Sequence, residues 1–93
     1  MANFRDGARD PHEHFTTDPD FRFLAQMIGI LAAARLERGY SERHLSRTAN
    51  VPNGSIRRAE KLERLPGIVF LRRWARALEI DWCELCRQAD AKG

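Results

Sequence analysis

Ninety-three residues, 43% of them apolar and 31% charged, make one globular domain with a modest core and leave no room for a second. The longest apolar run, Met27 to Ala34, falls far short of the ~20 residues a bilayer needs, and Met-Ala-Asn-Phe-Arg-Asp is no secretory signal, so no membrane partner and a cytoplasmic location are expected. The net charge of +3 is unevenly spread: residues 1–20 carry Arg5 and Arg9 against five acids, whereas residues 21–93 carry 14 basic and 8 acidic side chains, a balance suited to a polyanion partner.

Residues 1–18, with Gly7, Asp10-Pro11, clustered charges and no apolar periodicity, predict a flexible acidic leader ahead of one domain over residues 19–90. Asp18-Pro19-Asp20 supplies an N-cap, a proline tolerated in the first turn and an acid favoured by the helix dipole. Leu24, Met27, Ile28, Leu31, Ala34 and Arg38 then recur at helical spacing until Gly39, which predicts a first helix over 19–38. Ser41 caps a second helix over about 42–48, with His44 at the capping-box position and Leu45 and Ala49 facing inward. Asn50, well able to turn left-handed, ends it. Val51 fills the turn, and Pro52-Asn53 open a third helix over about 53–62 with Ile56 inward. Pro66 opens a fourth over about 66–78, carrying Ile68, Leu71, Trp74, Ala75 and Leu78. Asp81 caps a fifth over about 82–89, with Trp82, Leu85 and Cys86 on one face. No stretch alternates in the manner of a strand. The fold class is all-α, with five helices.

Two short helices joined by a tight turn over residues 41–61 have the spacing of a DNA-binding helix-turn-helix. With Leu45, Ala49, Val51 and Ile56 holding the unit from beneath, its outer side is expected to present Asn53, Gly54, Ser55, Arg57, Arg58 and Lys61. Asparagine pairs bidentately with adenine and arginine with the O6/N7 edge of guanine, so Asn53, Gly54, Ser55, Arg57 and Arg58 are the candidate base contacts. Arg43, Arg47, Lys61 and Arg64 lie where phosphate contacts set register.

These residues resemble the Cro/CI-type (XRE-type) helix-turn-helix regulators of phages and bacteria. The similarity covers about residues 27–86 and runs through Arg35, Gly39, Ser41-Glu42, Leu45, Val51, Ile56, Glu60, Pro66, Leu71, Ala75-Arg76-Ala77-Leu78, Ile80 and Leu85. The resemblance implies a Cro/CI-like five-helix domain, an ion pair between Arg35 and Glu60 tying the first helix to the third, and base reading by Asn53, Gly54, Ser55 and Arg58. Three positions depart from the family's usual residues: Glu42 stands for glutamine, Ser46 for alanine and Asn50 for glycine.

Other chemistry is thinly represented. Cys83 and Cys86 form a single Cys-Glu-Leu-Cys with no second pair, and His12, His14 and His44 are not spaced to complete a zinc site. Two reduced thiols on one face of the last helix, partly buried, are expected, with no metal and no cofactor. There is no phosphate-cradling glycine loop and no nucleophile with a credible base, so an enzyme is not expected. The competing function is a protein-interaction module, an antitoxin or anti-activator, in which this fold has lost DNA binding; the acidic leader and Glu42 point that way.

Apolar residues exceed what one small core needs. Phe21, Phe23, Leu24 and Ile30 on the first helix, Val69 and Phe70 on the fourth, and Trp82, Leu85 and Cys86 on the last predict a homodimer through the last helix and the early first or fourth. The alternative has Phe21 and Phe23 folding over the last helix to close the monomer's own core.

Overall fold

Local chemistry starts three of the helices. In the computed structural model, which describes residues 18–92, an Asp18 carboxylate oxygen accepts from Asp20 N–H at 2.8 Å and opens α1 (Pro19–Glu37). Ser41 Oγ accepts from His44 N–H at 3.0 Å and opens α2 (Glu42–Ala49). Asp81 accepts from Glu84 N–H at 2.9 Å and opens α5 (Trp82–Lys92). Between them, α3 (Ser55–Glu60) and α4 (Ile68–Ala77) start on Gly54 and Gly67 with no side-chain cap. The described residues contain no strand, and the expected leader lies outside them except for Asp18.

One device ends four helices. Gly39, Asn50, Leu62 and Glu79 all take left-handed φ, between 58° and 72°. After each, the next N–H donates back five residues: Tyr40 to Arg35 O, Val51 to Ser46 O, Glu63 to Arg58 O and Ile80 to Ala75 O. This is the Schellman closure, in which the residue after the left-handed one usually packs inward. Tyr40, Val51 and Ile80 do so, half-buried against the core. Gly39 adopts the conformation without strain; Leu62 and Glu79 cannot, and for a residue with a Cβ it costs roughly 1–2 kcal/mol.

The core closes around Trp74, Leu31, Leu45, Ile56, Leu78 and Leu85, all fully buried. α1 packs on α5 and α3, α2 on α3 and α4, and α4 on α5, so the short α2–α3 pair is backed by α1 and α4. Phe23 lies beside Ala89 and Asp90 of α5, half-buried, so the early first helix contributes to the monomer's own core. Leu85 is covered completely, while Trp82 and Cys86 stay half-buried at the margin.

Four sequence expectations need correction. Ile68, expected inward, is 60% exposed beside Val69 at 62%, because α4 starts at Ile68 and its anchored turn begins only at Leu71. α3 spans six residues instead of ten: Gly54 holds φ at +87° before it and Leu62 turns left-handed after it. α5 runs on to Lys92, held by buried Ala89 one turn beyond Leu85. The two thiols differ, Cys83 being exposed and only Cys86 half-buried.

Candidate nucleic-acid interface

The α2–α3 unit is built from inward residues upward. Leu45, Ser46 and Ala49 bury one side of α2, and Ser55, Ile56 and Ala59 one side of α3. Asn50 sits at φ 59°, ψ 51°, reversing the chain within its own C-cap. Ser55 closes the turn twice, its N–H and its hydroxyl both donating to Pro52 O, at 3.1 and 2.5 Å. With its inner residues so committed, the helix pair leaves Arg43, Arg47, Arg57, Arg58, Lys61 and Arg64 exposed.

A six-residue helix has little stability of its own, so its position depends on what grips it. Glu60 provides the grip. Arg35 Nε donates to Glu60 Oε2 at 2.7 Å and Nη2 to Oε1 at 2.9 Å, while Nη1 donates to Tyr40 O at 2.8 Å. Side-chain exposures of 9% and 12% make this a bidentate pair within the fold. The hydrogen bonds to Glu60 push the Arg35 guanidinium up from its ordinary value, against the opposing effect of burial. Glu42 adds to that field from the first turn of α2, where an acid also suits the helix dipole. Glu60 therefore spends its charge on α1 and leaves the outer face basic.

Not every candidate contact falls on that outer face. Asn53 is exposed in the turn ahead of α3, and Arg57 and Arg58 point outward from the helix itself. Gly54 is half-buried, and a Cβ built there would lie 3.4 Å from Arg58 Nη1, so the Arg58 side chain lies back over the helix start. Ser55 is a correction: expected on the outer side, it is 4% exposed with its hydroxyl spent on Pro52 O, so its role is to shape the turn. Lys61 caps α3, and Arg64 lies beyond it, exposed.

A family model described as helix-turn-helix matches residues 31–85, more than half of the chain. The chain belongs to the XRE-type helix-turn-helix family. No curated protein and no solved structure matches it significantly. The matched region runs from Leu31 in α1 to Leu85 in α5 and contains the whole α2–α3 unit, the part that makes the family one of DNA-binding regulators. No helix among the described residues is long and apolar enough to cross a membrane, and no three His, Cys, Asp or Glu side chains among them gather in a group fit for a metal ion.

This helix-turn-helix protein also holds its turn from a direction the sequence did not reveal. Arg73 of α4 donates from Nη1 to Asn50 O at 3.0 Å, fastening the left-handed C-cap of α2 to the neighbouring helix. Nothing local signals that bond, since the partners are 23 residues apart and arginines are frequent throughout α4. The Tyr40 and His44 rings meet edge to face, with centroids 4.5 Å apart, and brace the start of α2. Ser46, the family's alanine position, is buried with its hydroxyl unpartnered among the described residues, a local cost carried by the surrounding packing.

Proposed function

We propose that this protein is a sequence-specific transcriptional regulator that binds double-stranded DNA with α3 in the major groove, as a dimer on a partly palindromic site. One observation carries the proposal. α3 commits Ile56, Ala59 and Glu60 to the fold and turns Arg57 and Arg58 to solvent, with Arg43, Arg47 and Arg64 exposed around it. In that arrangement Arg58 and Asn53 read base edges, Arg57 lies alongside them, and Arg43, Arg47, Lys61 and Arg64 take phosphates. Two protomers place their recognition helices about one turn of B-DNA apart, ~34 Å, which demands the palindrome.

Selection from randomised duplexes with purified protein tests this. An enriched, partly symmetric motif supports the proposal. Four phosphate contacts per protomer further predict a salt slope of about −3.6 in log K against log salt for each protomer bound. Failure to enrich any motif overturns it in favour of the protein-interaction module.

A further inference from the structure

The start of α5 holds two nucleophilic side chains that DNA binding does not use. Cys83 is exposed and Cys86 half-buried, and their spacing of three brings both to one side of the helix. Both lie in regular helix: Asp81 accepts from Glu84 N–H through its carboxylate and from Leu85 N–H through its carbonyl, each at 2.9 Å. That regularity limits what the pair can do. Helical neighbours at this spacing keep their Cβ atoms about 5–6 Å apart, whereas a disulfide needs about 3.5–4.5 Å. An internal disulfide would have to tighten a turn that is pinned at Asp81. An ion lying between the sulfurs spans the gap with two bonds of its own and leaves the helix as it is.

The surroundings select the ion. Zinc takes four ligands and iron–sulfur clusters take four thiolates, and no third His, Cys, Asp or Glu among the described residues joins the pair in a group fit for such a metal. Hard cations want oxygen, but Glu84 spends its carboxylate on Arg87 and Gln88, and Asp81 spends its own on the helix cap. Two thiolates alone suit a soft ion content with two ligands, the class to which Cu(I) belongs. Such a complex carries one net negative charge, and a cation stands beside it. Arg72 of α4 lies over the Trp82 ring, 5.2 Å from its centroid, and makes no ion pair among the described residues. Burial, then Cys83 and Asp90, push the Cys86 thiol up, and Arg72 pulls against them.

We infer that Cys83 and Cys86 form a two-thiolate site for Cu(I) within one chain, with Arg72 offsetting the negative charge of the complex. Two S–H bonds break and two S–Cu bonds form: two thiols and one Cu(I) give the bis-thiolate complex and two protons, which pass to water. No electron moves, and copper stays monovalent throughout. The exposed Cys83 admits the ion, and Cys86 closes on it from the protein side. The inference concerns α5 and stands apart from base recognition by α3.

Competition for Cu(I) against a chromophoric Cu(I) chelator tests it, with the full chain reduced and oxygen excluded. Wild type withdraws one Cu(I) per chain. C83S and C86S each leave the ion with the chelator, because a single thiolate cannot complete the site. R72E sets a carboxylate beside an anionic complex and weakens capture roughly 10–100-fold, while R72K keeps the charge and weakens it less. Zinc offered alone finds two ligands of the four it needs and is not held. Circular dichroism melts confirm that the serine variants, close in size to the native residues, keep the fold. A wild type that captures no copper overturns the inference, as does copper retained by either serine variant or by R72E at full strength. One ion shared between two chains, or zinc held in preference to copper, overturns it equally.

Discussion

Among the described residues α1 and α3 are the longest and shortest helices, and they keep their places by opposite means. α1 has nineteen residues, a side-chain cap at one end and a glycine closure at the other. α3 has six residues, a glycine N-cap with no side-chain bond, and a leucine forced left-handed behind it. Helices that short are not stable alone, so the position of α3 is borrowed: Ile56 and Ala59 seat it, and Arg35 of α1 holds its last residue. The difference shows how an exposed basic surface is held in place without a long helix. The short helix carries exposed arginines, and a residue on the inner side of the long one holds it in place.

The strongest way to break that dependence is to cut the Arg35–Glu60 link between the two helices. Glu60→Ala leaves Arg35 buried and uncompensated and should destabilise the fold by about 3–5 kcal/mol in denaturant melts. The apolar double replacement Arg35→Met with Glu60→Leu should be much milder, because it strands no charge. Equal losses in the two would show that the pair does not clamp α3.

A smaller effect sharpens the comparison at the helix ends. Glu79 is left-handed where Gly39 ends α1 without strain, so Glu79→Gly should stabilise by about 1 kcal/mol, a rise in Tm of several degrees. The exposed 3.6 Å ion pair to Arg38 that it removes is worth little. An unchanged or lowered Tm would mean the left-handed closure carries no strain there.

The smallest effect lies on α5. Burial pushes the Cys86 thiol up, with help from Cys83 and Asp90, while Cys83 is exposed. Less thiolate and less access both slow Cys86, so iodoacetamide at neutral pH should label Cys83 first, as mass mapping would show. Equal rates would place the two thiols in equivalent surroundings.

The outline of the fold was legible because its signals are local. Asp18, Ser41 and Asp81 cap helices through bonds to residues two or three positions on, and Gly39 and Asn50 mark ends by their own backbone preferences. What escaped prediction depends on backbone conformations that residue type does not announce, or on contacts across the chain. Leu62 and Glu79 turn left-handed without any residue preference for it, and Gly54 cuts α3 short only because its φ is positive. Ser55 sits at a position that spacing alone assigns to the outer face, and the carbonyl of Pro52 draws it inside. Arg73 reaches Asn50 across 23 residues, a contact that exists only once α4 lies against α2. Ile68 matches the inward pattern of α4 but sits at its first residue, where periodicity gives no measure of how far the core extends.

The central claim, that α3 reads sequence while α2 only holds the backbone, is tested most directly by comparing Arg58→Ala with Arg47→Ala in the same binding-site selection. Arg58 is exposed on α3 with its side chain lying back over the helix start, and Arg47 is exposed on α2. Arg58→Ala should cost about 1–3 kcal/mol on the preferred site and erase the preference at one base pair of each half-site. Arg47→Ala should weaken all sequences alike and lower the salt slope by about one for each protomer bound, leaving the motif unchanged. An unaltered motif with Arg58→Ala, or an altered one with Arg47→Ala, would contradict the assignment.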